Sequence, residues 1–292
     1  MNKQSAIAIF LAVIMLGSIA SVLFMGDAKN NNTATNDTNT TKITAPSIDT
    51  IAGEHIEHQL DSIADGIAMS PKGITSAQFV DFTKVYNSQL QMFEPNATQM
   101  SAIYNVWVTK EFSAVDNNIS KSSDSVFQLH TIYPEVVNFQ YVQSAEPYNG
   151  YYFLSRGNNY SNVVGSPMLL GSETRIKSVI DVISGNAEAS HDFDYLLSKT
   201  EPGAEIQIVS SDKKLTADQY YLEFKAIDNE TYARKTLYLN LNQSVLTKFN
   251  SLAENSSSRG LEYDISEDSN ITTVVVEANE SDLLNLAFEP YS

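Results

Sequence analysis

An uncharged, strongly apolar run near the amino terminus constrains the fold and the location of this chain more than any other feature. The run extends from Ser5 to Gly26 and reads SAIAIFLAVIMLGSIASVLFMG. An α-helix rises about 1.5 Å per residue, so a run of this length crosses a hydrocarbon core about 30 Å thick. We therefore predict a transmembrane anchor over residues 1–26.

The flanking charges predict the orientation of this anchor. Lys3 and the amino group are the only positive charges before the run, and Asp27 and Lys29 beyond it cancel. Because the cytoplasmic flank is usually the basic one, we expect a single-pass protein of the cell membrane with an extracellular carboxyl-terminal domain. The alternative is a cleaved secretory signal ending near Ser18-Ile19-Ala20. Apolar residues continue past that point, which favours the uncleaved anchor.

Composition limits the remainder of the chain. Residues 27–50 are rich in asparagine and threonine and carry almost no large apolar side chain, which predicts a flexible stalk. The residues that follow suffice for one large domain or two small ones. The net charge of −17 argues against nucleic acid or anionic lipid as a partner. The absence of cysteine excludes disulfides, thiolate metal sites and a cysteine nucleophile.

Acceptor motifs for N-linked glycans are more frequent than the composition explains. The chain contains eleven N-x-[ST] motifs, whereas random placement of its residues predicts roughly five. Several motifs fall in predicted turns or at the ends of predicted elements, where a bulky glycan has room. We therefore predict glycosylation, provided that the chain is exported, at Asn31, Asn36, Asn39, Asn96, Asn118, Asn159, Asn229, Asn242, Asn255, Asn270 and Asn279.

Hydrophobic periodicity predicts a mixture of helices and strands after the stalk. A near-helical spacing of apolar residues predicts a helix within residues 51–67, and Ser172 to Ser184 reads as an amphipathic helix with Ser172 as its N-cap. A strand, then helices, then consecutive strands occur before Arg156, and the same order recurs after it. We therefore predict an α+β fold of two similar lobes, residues 51–156 and 157–292, each an antiparallel sheet with helices on one face.

Two clusters contain side chains of the kinds that bind metal ions. His55 and His58 would share one face of the predicted helix, where they are plausible zinc ligands, although the sequence identifies no third ligand. Asp264, Glu267 and Asp268 lie near the turn of the last predicted hairpin, where oxygen ligands at short spacing suit Ca²⁺. Exposed helix histidines and an ordinary acidic turn are the simpler interpretations. We therefore predict no cofactor, with Zn²⁺ and Ca²⁺ as the alternatives.

Tyrosines crowd two regions of the predicted strands. Exposed tyrosines make contacts with protein partners or sugars, but tyrosine is also favoured within sheets. Tyr148, Tyr151 and Tyr160 flank predicted loops and are the candidates for a binding surface. For catalysis, the chain contains neither a G-x-S-x-G motif nor a P-loop, and no catalytic residue is predicted.

Three segments carry a resemblance to other proteins: the leader MNKQSAIAIFLAVIMLGSIAS, SIADGIAMSPKGI and GSPMLLGSETRIKSVIDVISG. They resemble segments of uncharacterised membrane-anchored surface proteins of methanogenic archaea, and the resemblance runs the length of the predicted ectodomain. It implies a location on the outer surface, close to an S-layer. It implies neither an activity nor any functional residue.

These features favour a non-catalytic extracellular module that is anchored by its amino-terminal helix and binds a partner, either an envelope protein or a polysaccharide. One alternative is an anchored metal-dependent hydrolase that uses the region of His55 and His58. Another is an extracellular receptor for a small solute, with a cleft between the two lobes.

Overall fold

The computed structural model describes residues 45–94, 96–117, 119, 122–157, 159–211 and 217–290. The predicted anchor, most of the predicted stalk and the acceptors Asn31, Asn36, Asn39 and Asn118 lie outside these residues. Within the described ranges, no helix is both long enough and apolar enough to cross a membrane.

The described residues form mostly short helices and a long series of strands. The α-helices are α1 Ile63–Ala68, α2 Phe82–Val85, α3 Ala97–Ser101, α4 Ser122–Ser125, α5 Glu173–Ile183, α6 Asp194–Leu197, α7 Gln243–Glu254 and α8 Leu283–Phe288. Single 3₁₀ turns occur at Ile48–Thr50, Gln89–Phe93, Ser256–Arg259 and Glu280–Asp282. The strands are β1 Ile56–Glu57, β2 Ser76–Asp81, β3 Trp107–Val115, β4 Val126–Tyr133, β5 Val142–Gln143, β6 Leu154–Gly157, β7 Tyr160–Val163, β8 Gly165–Ser166, β9 Met168–Ser172, β10 Ile206–Ser210, β11 Gln219–Ala226, β12 Thr231–Leu239, β13 Leu261–Asp268 and β14 Ile271–Asn279.

One continuous antiparallel sheet organises these elements. Its twelve strands lie in the order β13-β14-β12-β11-β10-β2-β3-β4-β9-β7-β6-β5, while β1 and β8 form a separate parallel pair. The sheet crosses the predicted lobe boundary three times, because β2 pairs with β10, β4 pairs with β9 and β6 pairs with β7. Both outer edges of the unit β2-β3-β4 thus find their hydrogen-bond partners beyond that boundary. The α+β class is confirmed, whereas the two predicted lobes share a single sheet.

Helices cover both faces of this sheet, and not one face as predicted. We call the side that carries Val80 and His130 the front face, and the side that carries Phe79 and Leu129 the back face. Helices α2, α3, α7 and α8 contribute to the core on the front face, and α1, α5 and α6 contribute to the core on the back face. The physical reason is that every residue of the central strands β2 and β10 is buried, so both faces need an apolar cover.

The helix predicted within residues 51–67 does not form as one element. The apolar residues that suggested it are buried, but the chain is extended around β1 and turns helical only at α1. Gly53 adopts a φ of +96°, which a helix does not allow, and a Cβ atom there would lie 2.5 Å from the carbonyl oxygen of Gly150. The apolar spacing therefore predicted burial correctly and backbone conformation wrongly.

Candidate functional site

The histidines proposed as zinc ligands lie beside β1 in extended chain. Residues three apart on a strand point to opposite sides, so His55 and His58 do not share a face. The Nε2 atom of His55 lies 2.9 Å from the carbonyl oxygen of Ile51, within hydrogen-bond distance, and His58 is exposed. The helical pairing on which the zinc prediction depended is therefore wrong.

The acidic residues proposed as Ca²⁺ ligands lie along β13, which is the outermost strand at one edge of the sheet. Because side chains alternate along a strand, Asp264 and Asp268 point to one side and Glu267 to the other. The turn is made by Ser269 and Asn270, and the Oδ1 atom of Asn270 accepts a hydrogen bond of 2.9 Å from Tyr195. In the parts of the chain that the structure describes, no group of three His, Cys, Asp or Glu side chains is placed to hold a metal ion.

The three tyrosines proposed for binding are engaged within the fold. The hydroxyl group of Tyr148 donates a 2.8 Å hydrogen bond to Asp181, which raises the pKa of Tyr148. Tyr151 is buried, and this burial raises its pKa as well. Tyr160 is half-buried and packs against the front core. Tyr148 and Tyr151 close a tight turn through Asn149-Gly150, which lies beside α5.

The acceptor asparagines within the described chain are all at the surface. Each of the seven side chains is exposed: Asn96, Asn159, Asn229, Asn242, Asn255, Asn270 and Asn279. Asn96 and Asn242 also serve as N-caps of α3 and α7. The seven positions therefore meet the steric requirement for a glycan.

The most exposed aromatic pair of the described chain was missed by the sequence reasoning. Trp107 is 59% exposed and Tyr133 is 71% exposed. The two residues are direct partners at the end of the β3–β4 ladder, on its back face. The available signal was composition, because Trp107 is the only tryptophan of the chain. Adjacent exposed apolar side chains are more informative than single ones, because contiguous apolar patches mark interaction sites.

A buried polar cluster occupies the opposite, front face of the same strands. Glu111 on β3 is paired with His130 on β4, and the His130 Nε2 atom lies 3.4 Å from Glu111 Oε2. Gln128 Nε2 donates a 3.1 Å hydrogen bond to Glu111 Oε1. On the other side of the ring, His130 Nδ1 lies 2.8 Å from the hydroxyl oxygen of Tyr104, which also accepts a 3.2 Å bond from Asn162. All five side chains are nearly inaccessible to solvent.

Several polar atoms of this cluster make no hydrogen bond to the described residues. They are Oε1 of Gln128, Oδ1 of Asn162 and Nε2 of His130, and Oε1 of Gln78 and Oε1 of Glu94 are likewise buried without a hydrogen bond. A buried polar atom without a partner is costly, so most such atoms in folded proteins are satisfied by protein, water or a ligand. Burial and then the charge of Glu111 raise the pKa of Glu94 to about 8. At neutral pH, Glu94 therefore keeps its proton.

A surface cavity of about 350 Å³ opens on the front side, where Tyr86 and Tyr232 pack with the front core. Its walls are Tyr86, Asn87, Ser88, Gln89, Gln91, Asn229, Tyr232 and Glu280. Burial and then the charges of Glu94 and Glu111 raise the pKa of the Tyr86 hydroxyl group. The front face therefore combines a polar opening with a polar interior.

Comparisons with known proteins give no family. No family model matches the chain, and no curated protein matches it. Among solved structures, crystal form III of TP0453 is similar with a TM-score of 0.49 and 9% identity, covering 77% of this chain and 98% of that chain. Crystal form IV of TP0453 gives a TM-score of 0.48 and 11% identity, covering 75% and 96%.

Proposed function

We propose that this chain is a non-catalytic, single-pass surface protein whose folded part binds a protein of the cell envelope through Trp107 and Tyr133. The observation that carries the proposal is the high exposure of these two aromatic side chains at directly paired positions. Tryptophan and tyrosine are enriched among the residues that dominate protein interfaces. The apolar run from Ser5 to Gly26 supplies the anchor, and the exposed acceptor asparagines supply a surface for glycans.

Charge favours a protein partner over an acidic polysaccharide. The chain carries 35 acidic and 18 basic residues and a net charge of −17, so an anionic polymer is repelled at long range. A protein surface can place neutral or basic groups opposite this chain and cover the two aromatic rings. We therefore assign an envelope protein as the partner, and polysaccharide binding is the competing outcome of the experiment.

The two other hypotheses lack a supporting observation. The metal-dependent hydrolase depended on a helical pair of His55 and His58, and the segment is extended. The small-solute receptor depended on a cleft between two lobes, and one sheet runs through both halves of the described chain.

Trp107 itself reports on the proposed contact. Because it is the only tryptophan, the tryptophan emission of the protein arises from this one exposed indole. We expect the full chain in detergent micelles to show a blue-shifted emission and weaker acrylamide quenching when a solubilised envelope-protein fraction is added. Purified envelope polysaccharide is the parallel sample, and an equal response to polysaccharide alone would contradict the assignment to protein.

The variant Tyr133→Ala tests the second aromatic residue while leaving the fluorescent reporter in place. We expect it to weaken binding by at least about tenfold, since truncating a dominant interface residue costs about 2 kcal/mol or more. The matched control is Tyr195→Ala, because Tyr195 is also exposed but lies on α6. Equal affinities of the Tyr133→Ala variant and the unmodified protein would exclude this surface.

A further inference from the structure

The cavity on the front side has a glycan acceptor in its own wall. Asn229 is one of the residues that line this space of about 350 Å³, and it begins the acceptor motif Asn229-Glu230-Thr231. Its side chain is exposed, so the amide is accessible to a modifying enzyme. Pockets for small ligands range from about 300 to 1,000 Å³. A sugar attached to Asn229 would therefore start at the rim of a cavity large enough to hold it.

The turn that carries Asn229 is fixed by hydrogen bonds. Asp228 Oδ1 accepts bonds of 2.9 and 2.8 Å from the backbone N–H groups of Glu230 and Thr231. The carbonyl oxygen of Glu230 accepts a 2.7 Å bond from the backbone N–H of Glu280, which is another wall residue. The acceptor is therefore held at a defined position relative to the cavity.

A second wall segment, residues 86–91, is tied to the same hairpin. The Tyr232 hydroxyl oxygen accepts a 3.2 Å hydrogen bond from the backbone N–H of Gln89, and the Tyr232 side chain is buried in the front core. Tyr86 stacks on Phe82 with ring centroids 5.4 Å apart and packs against the same core. The cavity is therefore formed before any ligand enters, which lowers the cost of binding.

The walls have the chemistry of a site for a neutral ligand that is rich in hydroxyl groups. Within the described chain they contain no lysine, arginine or histidine, and Glu280 is their single carboxylate, so an anion such as phosphate is disfavoured. The exposed side chains of Gln89 and Gln91 form no hydrogen bond with the described residues, so their amides can donate to and accept from sugar hydroxyls. Tyr86 adds part of an apolar ring surface.

We propose that the first sugar of a glycan on Asn229 occupies this cavity, where the amides of Gln89 and Gln91 and the ring of Tyr86 hold it. The inference rests on the proposed function, because the chain must be exported to receive an N-linked glycan. Attachment forms a bond between Asn229 Nδ2 and the anomeric carbon of the sugar. It breaks the bond from that carbon to the phosphate of an activated glycan donor and releases one amide proton.

The first test compares the native full chain with the variant Asn229→Gln, both in detergent micelles. We expect the variant, which carries no glycan at this site, to melt about 2–4 °C lower, because that is the shift for losing a few weak contacts in a domain of this size. The matched control is Asn279→Gln. Asn279 is also an exposed acceptor, but it is not a wall residue and its side chain caps no helix, so its loss should leave the melting temperature unchanged.

A double-mutant cycle separates packing of the glycan from the effect of the substitution itself. We expect Gln91→Ala to lower the melting temperature of the glycosylated protein and to have no effect in the Asn229→Gln background. An equal effect of Gln91→Ala in both backgrounds would overturn the proposal. If Asn229→Gln fails to fold, Thr231→Val also removes the glycan, since the motif requires serine or threonine there, and Thr231→Ser preserves it.

Site-resolved mass spectrometry of the native protein distinguishes failure of this proposal from failure of the proposed function. A bare Asn229 beside occupied acceptors such as Asn279 would overturn the cavity assignment and leave the surface location intact. A chain in which every acceptor is bare would overturn the cavity assignment and count against the surface location as well. An occupied Asn229 that shows no coupling to Gln91 would overturn the cavity assignment alone.

Discussion

Glu223 is a carboxyl group buried in the back face of the sheet. The hydroxyl group of Tyr221 donates a 2.5 Å hydrogen bond to its Oε2 atom. Burial raises the pKa of Glu223, and the hydrogen bond from Tyr221 and the charges of Lys235 and Lys225 oppose that rise only in part. The folded chain therefore holds a proton at pH values at which the unfolded chain has released it. Its contribution to stability falls as pH rises from the ordinary glutamate pKa to the raised one, and is constant above that.

The variant Glu223→Gln removes this pH dependence. Glutamine can still accept the hydrogen bond from Tyr221 but does not ionise. We expect the variant to gain stability relative to the unmodified protein as pH rises from the ordinary glutamate pKa to the raised one, by about 1.4 kcal/mol for each unit by which the pKa is raised. Urea denaturation across that range measures the difference. Glu262→Gln, on the exposed side of β13, is the control and should follow the unmodified protein.

At the scale of residues, the sequence predicted which side chains are buried better than which are free to contact a partner. Ile56 and Ile67 belong to the apolar spacing within residues 51–67 that predicted a buried face, and both are buried. Tyr148 was chosen for its position near a loop, but its hydroxyl group is bound to Asp181. Trp107 was not chosen, because its exposure depends on where β3 ends in the sheet. Burial follows from the hydrophobicity of a residue, whereas availability for a partner depends on its neighbours in space.

At the scale of elements, α5 illustrates a helix that the local sequence determines. Ile176, Val179 and Ile180 form one buried stripe, and the Ser172 hydroxyl oxygen accepts a 3.3 Å hydrogen bond from the backbone N–H of Arg175. The predicted N-cap is therefore confirmed. An N-cap side chain satisfies one of the backbone N–H groups that the first turn of a helix leaves without a partner.

Removing this cap should destabilise the protein by about 1 kcal/mol. The test is Ser172→Ala, measured as the free energy of unfolding in urea. The control is Ser178→Ala in the middle of α5, where alanine is a better helix former than serine and the loss of stability should be absent. Equal losses in the two variants would show that the Ser172 hydroxyl group does not act as a cap.

Strand β3 illustrates an element that cannot be recognised from the local sequence alone. The register of its pairing with β4 shifts between Val108 and Lys110, so one extra residue interrupts the alternation of side chains. Lys110 and Glu111 are adjacent charged residues on opposite faces of the strand. Lys110 forms an ion pair with Asp61, and Glu111 lies opposite His130. No window of sequence shows a simple apolar period here. The strand is specified by its partners β2 and β4, which are distant in the chain.

At the scale of the whole molecule, the order of strands could not be deduced from the sequence. The repeat of element types suggested two similar lobes, but the halves interleave through the pairs β2–β10 and β4–β9. Pairing between distant strands depends on the burial of both faces of the sheet, and no local pattern records it. The buried cluster was missed for the same reason, since Glu111, His130 and Asn162 lie on three different strands.

The proposed topology makes a prediction for the native protein. We expect the chain to remain with the membrane after carbonate extraction and to be cleaved by protease added to intact cells. Its mass should exceed that of the polypeptide, because we expect exposed acceptors such as Asn229 and Asn279 to carry glycans, and should still include residues 1–26. A soluble cytosolic chain with every acceptor unmodified would contradict both the anchor and the surface location.

The strand at the outer edge of the sheet also affects how neighbouring copies behave. On β13, the side chains of Glu262, Asp264 and Asp268 project on one side along an edge whose backbone groups have no further strand to pair with among the described residues. Two such edges brought together would set like charges against each other. Two copies of this chain are therefore discouraged from pairing through their β13 edges.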